Sequence, residues 1–341
     1  MTAEALTVVV CAHTTRRWAQ LVEAIGSVDG AEGVDEVVLV VDYDDELLAR
    51  ARERWPRLRA MPNAGPRGLS AARNTGIAAA RGTLLAFLDD DATAAPDWAL
   101  RLRAAFDDEA VAAVGGHAAP VWPDAHGRRM LAPELDWIVG CSHRGLPTRR
   151  AEVRNVIGCS MAFRRAAFEL AGGFRSGLGR IGSVPLGGEE TELCIRVRAL
   201  DPRARIVLEP TAVVHHRVTA ERVSWRYLAR RSYFEGVSKA HIRARVGSAA
   251  ALSSERAYLR RVVPAAVIRE LVSPRRGGRA RSLGLLVSVG AAGFGYLRGR
   301  ASRRDDEATG AAAPAAPVAP LARVVELRPT APHRAAARAT R

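Results

Sequence analysis

Three short apolar runs that lack polar alternation constrain the fold of this 341-residue chain more than any other feature. They are Thr7–Cys11 (TVVVC), Glu36–Val41 (EVVLVV) and Leu84–Leu88 (LLAFL). A strand with one face in water alternates apolar and polar residues, whereas a strand buried on both faces of a parallel sheet is apolar throughout. The runs therefore predict an α/β fold whose central strands are covered on both faces.

Segments with helical spacing separate these strands. Arg17–Val28 and Asp45–Trp55 carry apolar residues at helical intervals, and Leu69–Arg81 is rich in alanine. The first half of the chain therefore reads as β-α-β-α-β, an open, mostly parallel, Rossmann-like sheet flanked by helices. In such sheets ligands bind outside the carboxyl ends of the strands.

Carboxylates follow two of the predicted strands. Asp42 comes directly after the second run, and Asp89, Asp90 and Asp91 come directly after the third. Three adjacent carboxylates repel one another, so water or a bound cation must relieve the repulsion. Residues two apart in an extended segment point the same way, which places Asp89 and Asp91 on one side and Asp90 on the other. A solvated acidic loop ahead of the next helix is the alternative interpretation.

Four further elements are predicted in the rest of the body: a helix over Arg164–Ala171, a helix that begins at Glu189 and Glu190 after the glycine-rich loop Gly177–Gly188, and strands over Arg205–Leu208 and Thr211–Val214. His215 and His216 follow the last strand. Neighbouring residues of a strand point to opposite faces, so only one of these histidines can face a site at the sheet edge.

The positive charge of the chain is concentrated at one end. The formal net charge is +15, but residues 1–218 carry −1 and residues 219–341 carry +16. A nearly neutral body with a basic C-terminal region favours attachment to an anionic surface such as a membrane over nucleic-acid binding by the body. We therefore expect no nucleic-acid partner.

The C-terminal region is predicted to be helical. Glu221–Arg245 mixes aromatic residues with arginines, which suits either the membrane interface or a helix packed on the body. A second helix over Ser254–Val272 should kink at Pro264. Ser282–Leu297 is uncharged for 16 residues between clusters of arginines, shorter than the roughly 20 residues of a spanning helix. We expect this segment to dip into a membrane or to dock on the protein.

Three parts are thus expected: a catalytic body over residues 1–218, a basic helical region over 219–300 and a disordered tail over 301–341, which is rich in Ala, Pro and Arg. The four cysteines form no CxxC pair, and the N-terminus lacks a basic segment ahead of an apolar core. The sequence predicts a cytoplasmic protein, peripheral at the inner face of the cell membrane.

Several motifs, in this order, resemble those of family 2 glycosyltransferases with the GT-A fold. They are the first strand at Val8–His13, Asp42 after the second strand, the run GPRGLSAARNTGIAAARGTLLAFLDDDA, and GGEETELCIR. The resemblance covers roughly Leu6 to Val218, and the order of the motifs makes it more specific than any one of them. Such enzymes transfer a sugar from a nucleoside-diphosphate sugar to a hydroxyl group, with inversion at the anomeric carbon.

The resemblance implies roles on the donor side of the site. Asp42 would accept a hydrogen bond from the nucleotide base, and Asp89 would contact the ribose with Asp90 in support. The remaining donor-side residues implied are Arg73 and Asn74 near the diphosphate, and Asp91 and His216 as ligands of Mg²⁺ or Mn²⁺. Such a metal neutralises charge on the leaving diphosphate.

On the acceptor side, the resemblance implies a carboxylate base. Members of the family usually carry Glu-Asp where this chain has Glu189-Glu190, so Glu190 is the expected base and is one methylene longer. Glu189 would orient the acceptor or cap the helix. The acceptor is an unidentified hydroxyl compound, for which a polyprenyl-linked sugar is one candidate.

Two other functions remain open at this point. A nucleotidyltransferase would carry a glycine- and basic-rich loop directly after the first strand, and CAHTTRRWAQ has no glycine. A non-catalytic binding protein tethered to a membrane could keep the same fold. The presence of Asp42, Glu190 and the aspartate cluster argues against lost catalysis.

Overall fold

The computed structural model describes residues 4–175, 178–179, 186–247, 253–273 and 276–308. Within these residues, nine strands form one mixed sheet. In chain order they are β1 (Leu6–Ala12), β2 (Glu36–Val41), β3 (Arg59–Pro62), β4 (Leu84–Asp89), β5 (Ala92–Ala94), β6 (Val111–Val121), β7 (Ala151–Glu152), β8 (Ser160–Arg164) and β9 (Arg205–Arg217). The order across the sheet is β3-β2-β1-β4-β8-β6-β9-β5, and β7 pairs with β9.

Helices flank this sheet and continue beyond it. They are α1 (Trp18–Gly26), α2 (Asp45–Arg54), α3 (Leu69–Ala79), α4 (Trp98–Ala104), α5 (His126–Met130), α6 (Arg165–Ala171), α7 (Glu189–Leu200), α8 (Trp225–Val246), α9 (Ser253–Ala257), α10 (Val263–Leu271) and α11 (Gly278–Ala308). Short 3₁₀ turns occur at Thr15–Arg17, Pro133–Val139 and Ala220–Arg222, and a π-turn at Tyr258–Val262.

The three predicted apolar runs are confirmed as the parallel strands β2, β1 and β4. β1 pairs in parallel with both neighbours, with Cys11 opposite Val40 on one side and Asp89 on the other. Val8 and Val10 contact a core that includes α1, α2 and α4, whereas Val9 belongs to a core that includes α3, α6 and α7. Both faces of the strands are therefore buried, which explains the missing polar alternation.

The last predicted pair of strands is wrong in one respect, because β9 is a single strand of 13 residues. Its pairing with β6 shifts register between Gly115 and His117, and this irregularity carries the strand past Pro210. Beyond it, β5 pairs antiparallel with β9 so that Ala92 lies opposite His216. This pairing brings the segment after β4 against the end of the body.

The C-terminal helices share a core with the body. Leu228 on α8, Ala266 on α10 and Leu285 on α11 pack with residues from the segment Met130–Cys141. α8 and α11 approach each other closely at glycines: a Cβ on Gly236 would collide with the backbone of Ala292. The apolar segment is therefore docked along α8 over its length.

Two expectations for this region need correction. The helix predicted over Ser254–Val272 is interrupted by the π-turn, which comes just before Pro264, where the missing proline N–H removes a helical hydrogen bond. Residues 301–308 were expected to be disordered but continue α11. The rest of the expected tail, residues 309–341, and residues 176–177 and 180–185 of the glycine-rich loop lie outside the described residues.

Candidate active site

Two aspartates and a histidine come together where β4 ends. Asp89, Asp91 and His216 each offer one ligand atom, and these atoms all lie within 4.8 Å of one another. The pairing of β5 with β9 sets His216 beside Asp91, with 3.2 Å between Nε2 and a carboxylate oxygen. His216 is 3% exposed, whereas the side chain of His215 lies on the exposed side of the strand. The structure thus places His216, and not His215, in the cluster.

Arginine side chains relieve the repulsion among the three carboxylates. Arg17 Nη1 lies 2.8 Å from Asp90 Oδ1 and 3.1 Å from Asp91 Oδ2, and Arg222 Nη2 lies 3.1 Å from Asp91 Oδ2. Asp90 and Asp91 are buried, so a solvated acidic loop does not describe them. Sequence reasoning missed both arginines, because Arg17 precedes α1 and Arg222 lies beyond the expected end of the body.

The electrostatics of the cluster favour an ionised Asp91. Burial alone would raise the pKa of Asp91, but the charges of His216, Arg222 and Arg17 lower it well below its usual range. For His216 the effects are reversed. Burial alone would lower its pKa, but the carboxylate of Asp91 raises it to about 10. The pKa of Asp90 is raised to about 7 by burial and by the charge of Asp91. Asp91 therefore ionises more readily than Asp90.

The donor set fits a divalent metal ion. Carboxylates are preferred by Mg²⁺ and Mn²⁺, and first-row transition metals also accept an imidazole. A cation at this point would compete with the guanidinium groups for Asp91 and with the proton on His216. Two carboxylates and one imidazole are thus compatible with a divalent metal ion such as Mg²⁺ or Mn²⁺.

Arg73 joins the aspartate cluster to the start of α7. Its guanidinium is 2% exposed, with Nη1 2.8 Å from Glu189 Oε1 and Nη2 3.3 Å from Asp89 Oδ1. Nη2 also donates to the carbonyl of Gly158 at 3.0 Å. Both carboxylates are thereby held in one arrangement, so Arg73 is a positioning residue in this structure. The sequence located it near the site without revealing that it is buried.

Asn74 and Asp42 also hold backbone segments in place. The Asn74 side chain donates to the carbonyl of Phe174 and accepts from its N–H, both at 2.8 Å. Asp42 accepts from Asn63 Nδ2 at 2.7 Å and from the N–H of Gly68 at 3.0 Å, which shapes the loop that leads into α3. Asp42 is buried at the same sheet edge as Asp89.

Tyr43 is a further residue at this edge, and nothing in the sequence indicated its role. Its backbone is left-handed at φ 57°, a conformation that non-glycine residues rarely adopt, and its ring is exposed. The hydroxyl donates to the carbonyl of Gly65 at 3.0 Å, and the guanidinium of Arg67 lies 5.9 Å from the ring centroid. A held, exposed ring beside Asp42 offers a surface on which a planar ligand can stack.

Glu189 and Glu190 begin α7, after Gly188 in a left-handed conformation at φ 89°. Glu189 is buried, and within the described part of the chain its Oε2 accepts no hydrogen bond. Glu190 is half-buried, and burial together with the charge of Glu189 raises its pKa to about 8. A carboxyl group with a pKa near neutrality can act as a general base.

Comparison with known proteins gives a consistent result. Residues 7–171 match the sequence model of the family described as Glycosyl transferase family 2. A glucosyl-dolichyl phosphate glucuronosyltransferase from Haloferax volcanii is 30% identical over 303 residues, covering 86% of this chain and 96% of that protein. The succinoglycan biosynthesis protein ExoM of Rhizobium meliloti is 29% identical over 234 residues, which are 67% of this chain and 71% of that protein.

One solved structure shares the fold over most of its length. The mannosyltransferase PcManGT from Pyrobaculum calidifontis, solved in complex with GDP-Man and Mn²⁺, superposes with a TM-score of 0.56 at 18% identity. The superposition covers 87% of this chain and 88% of that one. The shared region includes far more of the chain than the matched family segment, which ends before α7.

Proposed function

The chain belongs to glycosyl transferase family 2 and has the GT-A fold, and from this premise we propose that it transfers a sugar from a nucleoside-diphosphate sugar to an acceptor hydroxyl group with inversion. One observation carries the proposal. A metal-type cluster of Asp89, Asp91 and His216 and a carboxyl group of raised pKa, Glu190, lie at one sheet edge, with Arg73 and Glu189 between them.

The donor binds at the carboxyl ends of β1, β2 and β4. Asp42 contacts the base and Asp89 the ribose, with Asp90 in support. Asp91 and His216 would hold Mn²⁺ or Mg²⁺. Bound there, the metal would stabilise the negative charge of the departing diphosphate. Arg17 and Arg222 keep Asp91 ionised and oriented, and the Mn²⁺ of the similar mannosyltransferase supports this choice of metal.

The acceptor binds on the side of α7. Glu190 takes the proton of the acceptor hydroxyl as the oxygen attacks the anomeric carbon from the face opposite the diphosphate. Glu189, fixed by Arg73, sets the position of its neighbour at the helix start. Placement of the reacting atoms by such contacts accounts for a large part of the rate in displacement reactions.

A lipid-linked acceptor fits the C-terminal helices. The H. volcanii relative is named for a glucosyl-dolichyl phosphate acceptor. In this chain the segment Gly278–Ser302 is long and apolar enough to cross a membrane, although buried helices of soluble proteins pass the same criterion. Its exposed face carries four apolar side chains between arginines: Leu283, Leu286, Phe294 and Leu297. We infer peripheral attachment at the cytoplasmic membrane face, with α11 lying along the surface.

The proposal is tested by metal binding and by transfer. Full-length protein should bind Mn²⁺, detected by electron paramagnetic resonance, and should transfer from one member of a nucleotide-sugar panel only when Mn²⁺ or Mg²⁺ is present. Asp91→Asn and His216→Ala should each lose both properties, because each removes a ligand.

His215→Ala is the matched control, since the neighbouring histidine faces away from the cluster. It should bind Mn²⁺ and transfer sugar as the parent protein does. Full Mn²⁺ binding by Asp91→Asn, or metal-independent transfer by the parent, would contradict the proposed metal site.

A further inference from the structure

Helix α8 carries a row of charged residues beside the acceptor side of the site. Arg231, Glu235 and Lys239 are four residues apart and therefore share one face of the helix. Arg231 Nη1 lies 2.8 Å from Glu235 Oε2, and Lys239 Nζ lies 3.2 Å from Glu235 Oε1. These side chains are only 13% to 22% exposed. The row is largely removed from water.

The row continues into the rest of the protein. Lys239 Nζ lies 2.7 Å from Glu255 Oε1 on α9, and Arg154 of the body donates to the same carboxylate, with Nη2 at 2.8 Å. Among these five residues, three are cations and two are anions. The partly buried network thus carries a positive charge in excess.

The row faces the approach to Glu190. The N–H of Gly187 donates to Ser238 Oγ on α8 at 3.2 Å, and a Cβ on Gly187 would lie 3.3 Å from Arg231 Nη2. The segment that leads into α7 therefore passes directly beneath α8. The positive charge of Lys239 offsets a small part of the rise in the pKa of Glu190 that burial and Glu189 cause.

The aromatic ring of Trp137 lies next to the charged row of α8. The guanidinium carbon of Arg231 lies 5.7 Å from the centroid of the Trp137 ring. Trp137 is partly buried in the core that the C-terminal helices share with the body. Stacking on a ring keeps an arginine in place while its N–H groups stay available to an anion.

Attachment of α8 does not require this network. Buried ion pairs cost desolvation and stabilise less than apolar packing of the same volume. α8 is already held by Leu228 in the shared core and by the close glycine contacts with α11. The two cations beside the proposed general base are better explained as a binding site for an anionic group on the acceptor.

We propose that Arg231 and Lys239 bind a phosphate group of the acceptor, which exchanges for their bonds to Glu235. This inference rests on the proposed glycosyl transfer and makes the acceptor a sugar phosphate. Arginine binds phosphate oxygens in a bidentate manner and lysine binds them as a point charge. The acceptor would then present its phosphate to Arg231 and Lys239 and a hydroxyl group of its sugar to Glu190.

The test compares two soluble probes on full-length protein: an alkyl glucosyl phosphate and the matching alkyl glucoside without phosphate. By isothermal titration calorimetry without donor, Arg231→Gln and Lys239→Gln should each weaken binding of the phosphorylated probe by about tenfold or more. Binding of the glucoside should not change. Arg231→Lys should recover part of the affinity, and Arg226→Gln, an exposed arginine on the same helix, should have no effect.

Glu235→Gln separates this proposal from a purely structural network. Loss of the competing carboxylate should tighten binding of the phosphorylated probe, whereas a structural network predicts weaker binding and a lower melting temperature. Equal losses for both probes in Arg231→Gln would also overturn the proposal. Because no donor is present, these results stand apart from whether the protein transfers sugar.

Two more measurements identify the source of the phosphate. Binding of UDP and of phosphatidylglycerol vesicles should be the same in Arg231→Gln as in the parent protein. Loss of UDP binding would move the subsite to the donor, and loss of vesicle binding would assign it to a lipid headgroup. Either result would refute an acceptor subsite.

Discussion

Glu190 shows how one side chain depends on its surroundings. Its carboxyl group follows Glu189 at the start of a helix, where the backbone N–H groups favour negative charge. Burial and the charge of Glu189 act the other way and raise its pKa to about 8. The second effect is larger, so the protonated form of Glu190 predominates at neutral pH.

We therefore expect the transfer rate to rise with pH up to about 8 and to level off above it, since the base must be ionised. Glu190→Gln should be inactive, and Glu190→Asp, which restores the usual Glu-Asp pair, should keep the pH-dependent limb. The pH profile of kcat/KM measures this. A flat profile for the parent protein, or activity in Glu190→Gln, would remove Glu190 from the mechanism.

The same shift predicts a change in stability. The unfolded chain ionises Glu190 near 4.5, whereas the folded chain does so near 8, so ionisation favours unfolding between these values. The free energy of unfolding of the parent protein should fall relative to Glu190→Gln as pH rises from 4.5 to 8. Urea denaturation at several pH values would report the difference.

At the scale of elements, glycine spacing decides how α8 and α11 pack. Gly236 and Gly295 face the partner helix so closely that a Cβ on either would meet backbone atoms. Gly290 lies on the exposed side of α11, with nothing within 4 Å of its Cβ position. A side chain is therefore excluded at Gly236 and Gly295 but has open space at Gly290.

Gly236→Ala should therefore lower the free energy of unfolding by about 1–3 kcal/mol, because the backbones must separate. Gly290→Ala, the matched control, should raise it by about 0.5–1 kcal/mol, because alanine favours a helix. Thermal and urea unfolding of both variants would measure the difference. Equal effects would mean that the helices do not approach as described.

The pairing of β5 with β9 also shapes the candidate site. It sets Ala92 opposite His216, and so fixes which of the two histidines reaches Asp91. A shift of one residue would replace His216 by His215, since strand residues alternate between faces. The register of a three-residue strand thus selects which histidine joins the aspartate cluster.

At the scale of the whole molecule, the excess positive charge and the exposed apolar side chains of α11 lie in the same C-terminal region. The excess positive charge lies in residues 219–341, and the same region exposes Phe294 at 65% and Leu297 at 63%. An amphipathic helix with basic ends is suited to an anionic membrane surface. The exposed leucines of the body, Leu170 and Leu200, lie in the part of the chain that is nearly neutral in charge.

The double variant Phe294→Ser/Leu297→Ser should bind phosphatidylglycerol vesicles several-fold more weakly than the parent protein, because the apolar contact with lipid is lost. Leu170→Ser/Leu200→Ser, which removes two exposed apolar side chains from the body, should bind normally. Flotation assays would measure both, and salt should weaken the attachment of the parent protein. Undiminished flotation of the first variant would exclude α11 as the contact.

Some residues of the candidate site could be found from the sequence because their positions follow from local pattern. Asp42 and Asp89 come directly after apolar strands, and Glu190 begins a helix behind glycines. Arg17 and Arg222 gave no such signal, because 131 residues separate Arg222 from Asp91 and arginine is common on surfaces. Their contacts depend on how distant segments pack.

The sequence by itself determined the α/β class, the central strands and the edge at which the carboxylates collect, since these follow from local periodicity and from the direction of parallel strands. Only the tertiary structure decided that His216 contacts Asp91, that Arg73 is buried, and that α8 lies beside the segment leading to Glu190. These features depend on contacts between residues far apart in the chain, and periodicity carries no information about which distant residues meet.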